Sequence, residues 1–96
     1  MMEHVKPLND FFAAIEKDGR ISITHIGIYA ALLEYRMRNN FINPIILFSH
    51  DIMGIAKISA EKTYYKCIRE LNDYGYIKYI PSYKNNQGSK IFFTEK

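Results

Sequence analysis

The sequence predicts a small α+β domain, mainly helical, with its helices first and a β-hairpin last. Three observations predict it. Apolar residues recur at helical spacing in four segments between Pro7 and Gly75, most of them bounded by helix-capping residues. Strict alternation appears only after Gly75, where two short runs flank a polar loop. The length, 96 residues, suits one domain and leaves no room for a second core.

The first segment is Pro7 to Asp18, where Leu8, Phe11, Phe12 and Ile15 fall on one helical face. Pro7 suits a first helical turn, because its missing amide hydrogen would have lacked a partner there, and Gly19 is placed to end the helix. Ser22 is a good N-cap for a second helix running to about Arg38, which stops at Asn39 and Asn40. Ile26, Tyr29, Leu33 and Met37 mark one side of it and Ile28, Leu32 and Tyr35 another, so it should serve as the central scaffold. Gly27 with Ala30 and Ala31 predicts close approach of a neighbouring helix.

After Pro44, Ile45 to Phe48 is β-prone and too brief for a helix. Ser49 is a candidate N-cap for a two-turn helix to Ala56, with Ile52, Ile55 and Ala56 inward; Lys57 and Ile58 make the turn. Ser59 is expected to cap the last helix, which should end at Gly75 in a left-handed conformation. Tyr76 to Ile80 and Ser89 to Phe93 then pair as a hairpin around the loop 81–88, with Gly88 at the turn. The divisions are an N-terminal helical extension over 1–20, a helical core over 22–75 and a hairpin over 76–93.

Composition narrows the function. With 48% apolar and 24% charged residues, disorder is not expected. A single cysteine excludes an internal disulfide and points to a reducing, cytoplasmic setting. His4, His25 and His50 are scattered, with no thiol or carboxylate at metal-ligand spacing, so no metal or other cofactor is expected. No apolar run approaches the roughly 20 residues of a membrane span, and the opening MMEHVKPLNDFF lacks a signal pattern. Gly-rich phosphate loops, nucleophile elbows and paired carboxylates are absent, so neither catalysis nor a small-molecule ligand is expected. Cys67 falls between Tyr64, Ile68 and Leu71, where a thiol behaves as a small hydrophobe.

Charge is unevenly distributed. Residues 1–56 carry five basic against six acidic side chains, and residues 57–96 carry eight against four. The positive excess therefore lies entirely in the C-terminal part, as a polyanion-binding face would require. Around the last helix, Tyr64, Cys67, Ile68 and Leu71 share one face and Lys62, Lys66 and Arg69 the opposite one, with Tyr65 flanking. Such a ridge can be a solvated surface, or it can reach phosphates and guanine acceptors in a major groove. The loop SYKNNQGSK is basic, amide-rich and free of carboxylates, which suits a backbone or minor-groove contact as well as an ordinary turn.

The block Ile52 to Ile77, IMGIAKISAEKTYYKCIRELNDYGYI, resembles a winged helix-turn-helix domain. The residues that carry the resemblance are Ile55-Ala56, Ile58-Ser59, Thr63-Tyr64, Leu71, Gly75 and Ile77. It covers about residues 22–93 and is similar to small winged-helix regulators and replication-initiator domains of bacterial chromosomes, plasmids and prophages. Two departures are that Ser59 precedes Thr63 by four residues and that Ala60 takes the usual Ser position. The resemblance implies a three-helix core with a helix-turn-helix at 49–75, a hairpin wing and an extra N-terminal helix. It also implies binding of double-stranded DNA in control of transcription, or of replication or transfer of a mobile element. The expected contacts are Ser59, Glu61, Lys62, Thr63, Tyr65, Lys66 and Arg69 on the helix and Lys84, Asn85, Asn86 and Lys90 on the wing. The alternative is a protein-interaction module on the same scaffold. A homodimer through Leu8, Phe11, Phe12 and Ile15 is a further expectation; the competing one is that this stripe covers Ile26, Tyr29 and Leu33 of its own chain.

Overall fold

The computed structural model describes residues 2–82 and 87–93, with side chains from residue 7 onward. Along it run α1 (Met2–Ile15), α2 (Ile23–Arg38), β1 (Ile45–Leu47), α3 (Ser49–Ala56), α4 (Glu61–Asp73), β2 (Ile77–Ile80) and β3 (Ser89–Phe93). The protein is a small, mainly helical α+β domain. Its antiparallel sheet has the order β1-β3-β2, so the last strand lies in the middle. Ile45 faces Ile91, which in turn faces Tyr79, and Ile77 faces Phe93. The inner side of this sheet, with Ile45, Leu47, Ile77, Ile91 and Phe93, closes on Ile28 and Leu32 of α2, Ile52 of α3 and Tyr64, Ile68 and Leu71 of α4.

Helix α2 begins where the sequence places it. Ser22 is extended, and its Oγ accepts from the His25 backbone N–H at 3.4 Å while its own N–H donates to His25 Nδ1 at 2.9 Å. At the other end Asn39 donates from Nδ2 to the Tyr35 carbonyl, and Asn40 and Phe41 turn left-handed to reverse the chain. Gly27, however, meets no neighbour: a Cβ there would have nothing within 4 Å. Of the three small residues expected at a close approach, Ala31 is the one that is buried.

The predicted ends of three helices are corrected. Helix α1 starts at Met2 and contains Pro7 in its interior, and it stops at Ile15 rather than Asp18. Gly19 is not left-handed. The turn there is held by Asp18, whose carboxylate accepts from the backbone N–H and the guanidinium of Arg20 and, at 2.6 Å, from the Tyr76 hydroxyl. Ser49 does not cap α3; it is the first helical residue, and the Asp51 carboxylate accepts from the Phe48 N–H at 3.0 Å. Nor does Ser59 cap α4, whose N-cap is Ala60. Here tertiary burial overrides a local cap. The chain leaves α3 through left-handed Lys57, Ile58 donates its N–H to Met53 and packs against the core, and the phase of α4 follows from Tyr64, Cys67, Ile68 and Leu71. A serine cap contributes only about 1 kcal/mol, less than burying one of those side chains.

The end of α4 follows the prediction, with Gly75 at φ +88°. Beyond it, Asn72 Oδ1 accepts from the Tyr79 N–H at 2.8 Å, covering a donor at the outer edge of β2. Asn43 does the corresponding work beside β1, exchanging hydrogen bonds with the N–H and carbonyl of Phe93.

Candidate functional site

Helix α4 presents two chemically opposite faces. Tyr64, Cys67, Ile68 and Leu71 are buried, whereas Lys62, Lys66 and Arg69 are exposed, as the helical period predicts. Among the described residues none of these three cations pairs with a carboxylate; the neighbouring Glu70 is turned toward His25. Tyr65 is half-buried; its ring and that of Tyr64 meet in a T-shaped contact with centroids 5.1 Å apart, and the Arg69 guanidinium lies 5.9 Å from its ring centroid. It braces the ridge rather than standing free of it. Ser59, Glu61 and Thr63 are exposed at and just before the first turn of α4. Lys57, in the turn ahead of them, is a further exposed cation that lies outside the helical period and so escapes a reading by spacing.

On the hairpin, Lys90 is exposed on β3. Lys84, Asn85 and Asn86, with Tyr83, lie outside the described residues. Gly88, expected as a turn residue, is instead a point of close approach. A Cβ there would lie 2.7 Å from the Leu47 carbonyl oxygen. The residue is small so that the start of β3 can approach β1.

The orientation of α4 depends on a brace that sequence spacing does not disclose. His25 is buried at 4% exposure, and its Nε2 lies 3.0 Å from Glu70 Oε1. Because the Ser22 N–H donates to Nδ1, that nitrogen carries no proton, and the ring proton on Nε2 is aimed at Glu70. Cys67 joins this group, with the three ligand-type atoms within 4.8 Å of one another. The scattered histidines therefore do include one beside a thiol and a carboxylate. A metal on Nε2 would displace the shared proton and leave Nδ1 facing a backbone donor, so the donor set fits a hydrogen-bonded brace better than a metal centre. Burial pushes the Cys67 thiol above its usual range, which keeps it protonated and unreactive. The Ser22-x-x-His25 spacing hints at the cap; nothing local could reveal Glu70 as the partner, 45 positions away.

His50 is exposed and stacks on Phe48. Phe11, a member of the stripe expected to pair two copies, is buried within its own chain, stacked on Tyr29 with ring centroids 3.9 Å apart and edgewise to Tyr76. No helix among the described residues is long and apolar enough to cross a membrane. No protein-family model, curated protein or solved structure matches this chain.

Proposed function

We propose that this chain is a winged helix-turn-helix protein that binds duplex DNA, with α4 in the major groove and the β2–β3 hairpin against the backbone or the minor groove. The observation that carries the reading is the exposed Lys62-Lys66-Arg69 ridge, which pairs with no carboxylate among the described residues, on a helix whose opposite side is anchored in the core. A helix held rigidly by one face can offer the other to base edges and phosphates. The order α2, β1, α3, α4, β2, β3, with β3 between β1 and β2, supports the same reading. The process served is control of transcription, or of replication or transfer of a mobile element.

The test is binding to random-sequence duplex DNA over a salt series. Each phosphate neutralised by a cation should add about 0.9 to the negative slope of log K against log salt. Replacing Lys62, Lys66 and Arg69 together with Ala should abolish binding while the far-ultraviolet circular dichroism stays unchanged. Parent-like binding by that variant would overturn the assignment. Selection of bound sequences from a random pool would then identify the operator.

A further inference from the structure

The water-facing side of an antiparallel sheet ordinarily alternates to polar residues. This sheet departs from that rule. The burial pattern turns Ile46, Lys78, Ile80, Lys90 and Phe92 outward, away from the core. The register sets Ile46, Lys90 and Ile80 side by side across all three strands, with Phe92 and Lys78 in the adjoining row. Ile46 is 55% exposed and Ile80 41%. Lys78 Nζ stands 5.7 Å from the centroid of the Phe92 ring. No carboxylate occupies an outward position on these strands.

Charge and shape together choose the occupant. Isoleucines have no π face on which a base could stack, and the Phe92 ring already carries an ammonium, so single-stranded nucleic acid is poorly served. An apolar strip with only cations beside it is complementary to apolar side chains flanked by carboxylates. Adjacent strands are about 4.8 Å apart, so Ile46 and Ile80 are separated by roughly 10 Å. Seven residues of helix rise by about the same distance.

We propose that this outer sheet face docks an acidic amphipathic helix of a partner protein. Apolar residues at i and i+7 of that helix rest on Ile46 and Ile80, and an acidic residue between them meets Lys90. Lys78 holds a second carboxylate at the flank, beside Phe92. The face is the reverse of the one that packs on the helices; it shares Lys90 with the hairpin contact proposed above but no residue with the α4 ridge, so the proposal does not depend on DNA binding by α4.

The experiment uses the full chain and a fluorescein-labelled synthetic helix with Leu at i and i+7 and Glu at i+3 and i+4, followed by anisotropy. Saturable binding is expected, with Lys78→Glu and Ile46→Ser each weakening it about tenfold or more. The same peptide with Lys in place of Glu should not bind. Lys78 is exposed, so Lys78→Glu should keep the parent's unfolding temperature, and the Lys62, Lys66 and Arg69 triple Ala variant should bind the peptide like the parent, which separates this surface from the α4 ridge. Absence of binding at about 100 μM peptide, or unchanged affinity in Lys78→Glu, would overturn the proposal. So would two other results: binding of anionic phospholipid vesicles alone, lost in Ile46→Ser, or self-association in sedimentation abolished by the same substitution.

Discussion

The Nε2–H of His25, in the first turn of α2, donates to Glu70 Oε1 in α4 at 3.0 Å, joining the start of the scaffold helix to the helix that carries the basic ridge. The imidazole is almost wholly buried and the carboxylate partly so. Removing the acceptor leaves a buried donor without a partner. Glu70→Ala should therefore cost about 1–3 kcal/mol in urea unfolding, and Glu70→Gln, which retains an amide oxygen, distinctly less. Equal losses in the two variants would assign the effect to packing rather than to the hydrogen bond.

Two glycines should respond in opposite directions to the same substitution. Gly88→Ala drives a Cβ to 2.7 Å from the Leu47 carbonyl oxygen and should destabilise the protein by about 1–3 kcal/mol as β1 and β3 are forced apart. Gly27→Ala adds a methyl inside α2 where nothing lies within 4 Å, and should stabilise by roughly 0.5–1 kcal/mol. Thermal and urea unfolding of the two variants checks both signs.

Acid should loosen the turn after α1. Hydrogen bonds from Arg20 and then from Tyr76 hold the Asp18 carboxyl well below the usual carboxylate range. A depressed native pKa means that this stabilisation is fully present above the unfolded value of about 3.9 and is lost as pH falls below it. Melting temperatures measured from pH 6 down to pH 2 should fall less steeply for Asp18→Asn than for the parent. Parallel curves would show that Asp18 contributes no acid dependence.

Adjacent phenylalanines of α1 should behave differently. Phe11 lies between Tyr29 and Tyr76, so Phe11→Ala should cost about 3–5 kcal/mol and lower the melting temperature at every protein concentration. Phe12 is 46% exposed, and Phe12→Ser should leave the fold intact. If the chain pairs through α1, light scattering will show the mass halving in Phe12→Ser; a mass near 11.3 kDa in the parent would exclude that pairing.

Under the proposed DNA-binding function, the β2–β3 hairpin should add affinity without sequence preference. Lysines act on phosphate as point charges, so replacing Lys84 and Lys90 with Gln should reduce the salt slope by about two contacts' worth. The preferred operator should not change. An altered preference at an unaltered slope would put the hairpin on base edges.

What the sequence determined by itself was whatever residues within a turn or two of one another decide. The inward and outward faces of α4, the Ser22 cap, the left-handed Gly75 and the alternation of β2 and β3 all depend on periods of 3.6 or 2 and on short-range hydrogen bonds. The basic ridge was legible for that reason. Tertiary structure decided the rest, because contacts between distant residues have no period along the chain. Packing of Ile58 against the core and burial of Tyr64 moved the start of α4 past Ser59, and the approach of β1 gave Gly88 its reason. Pairing across 45 to 58 positions joined His25 to Glu70, Asn43 to Phe93 and Asp18 to Tyr76. The apolar outer sheet face, likewise, became visible only once three strands from separate parts of the chain were set in register.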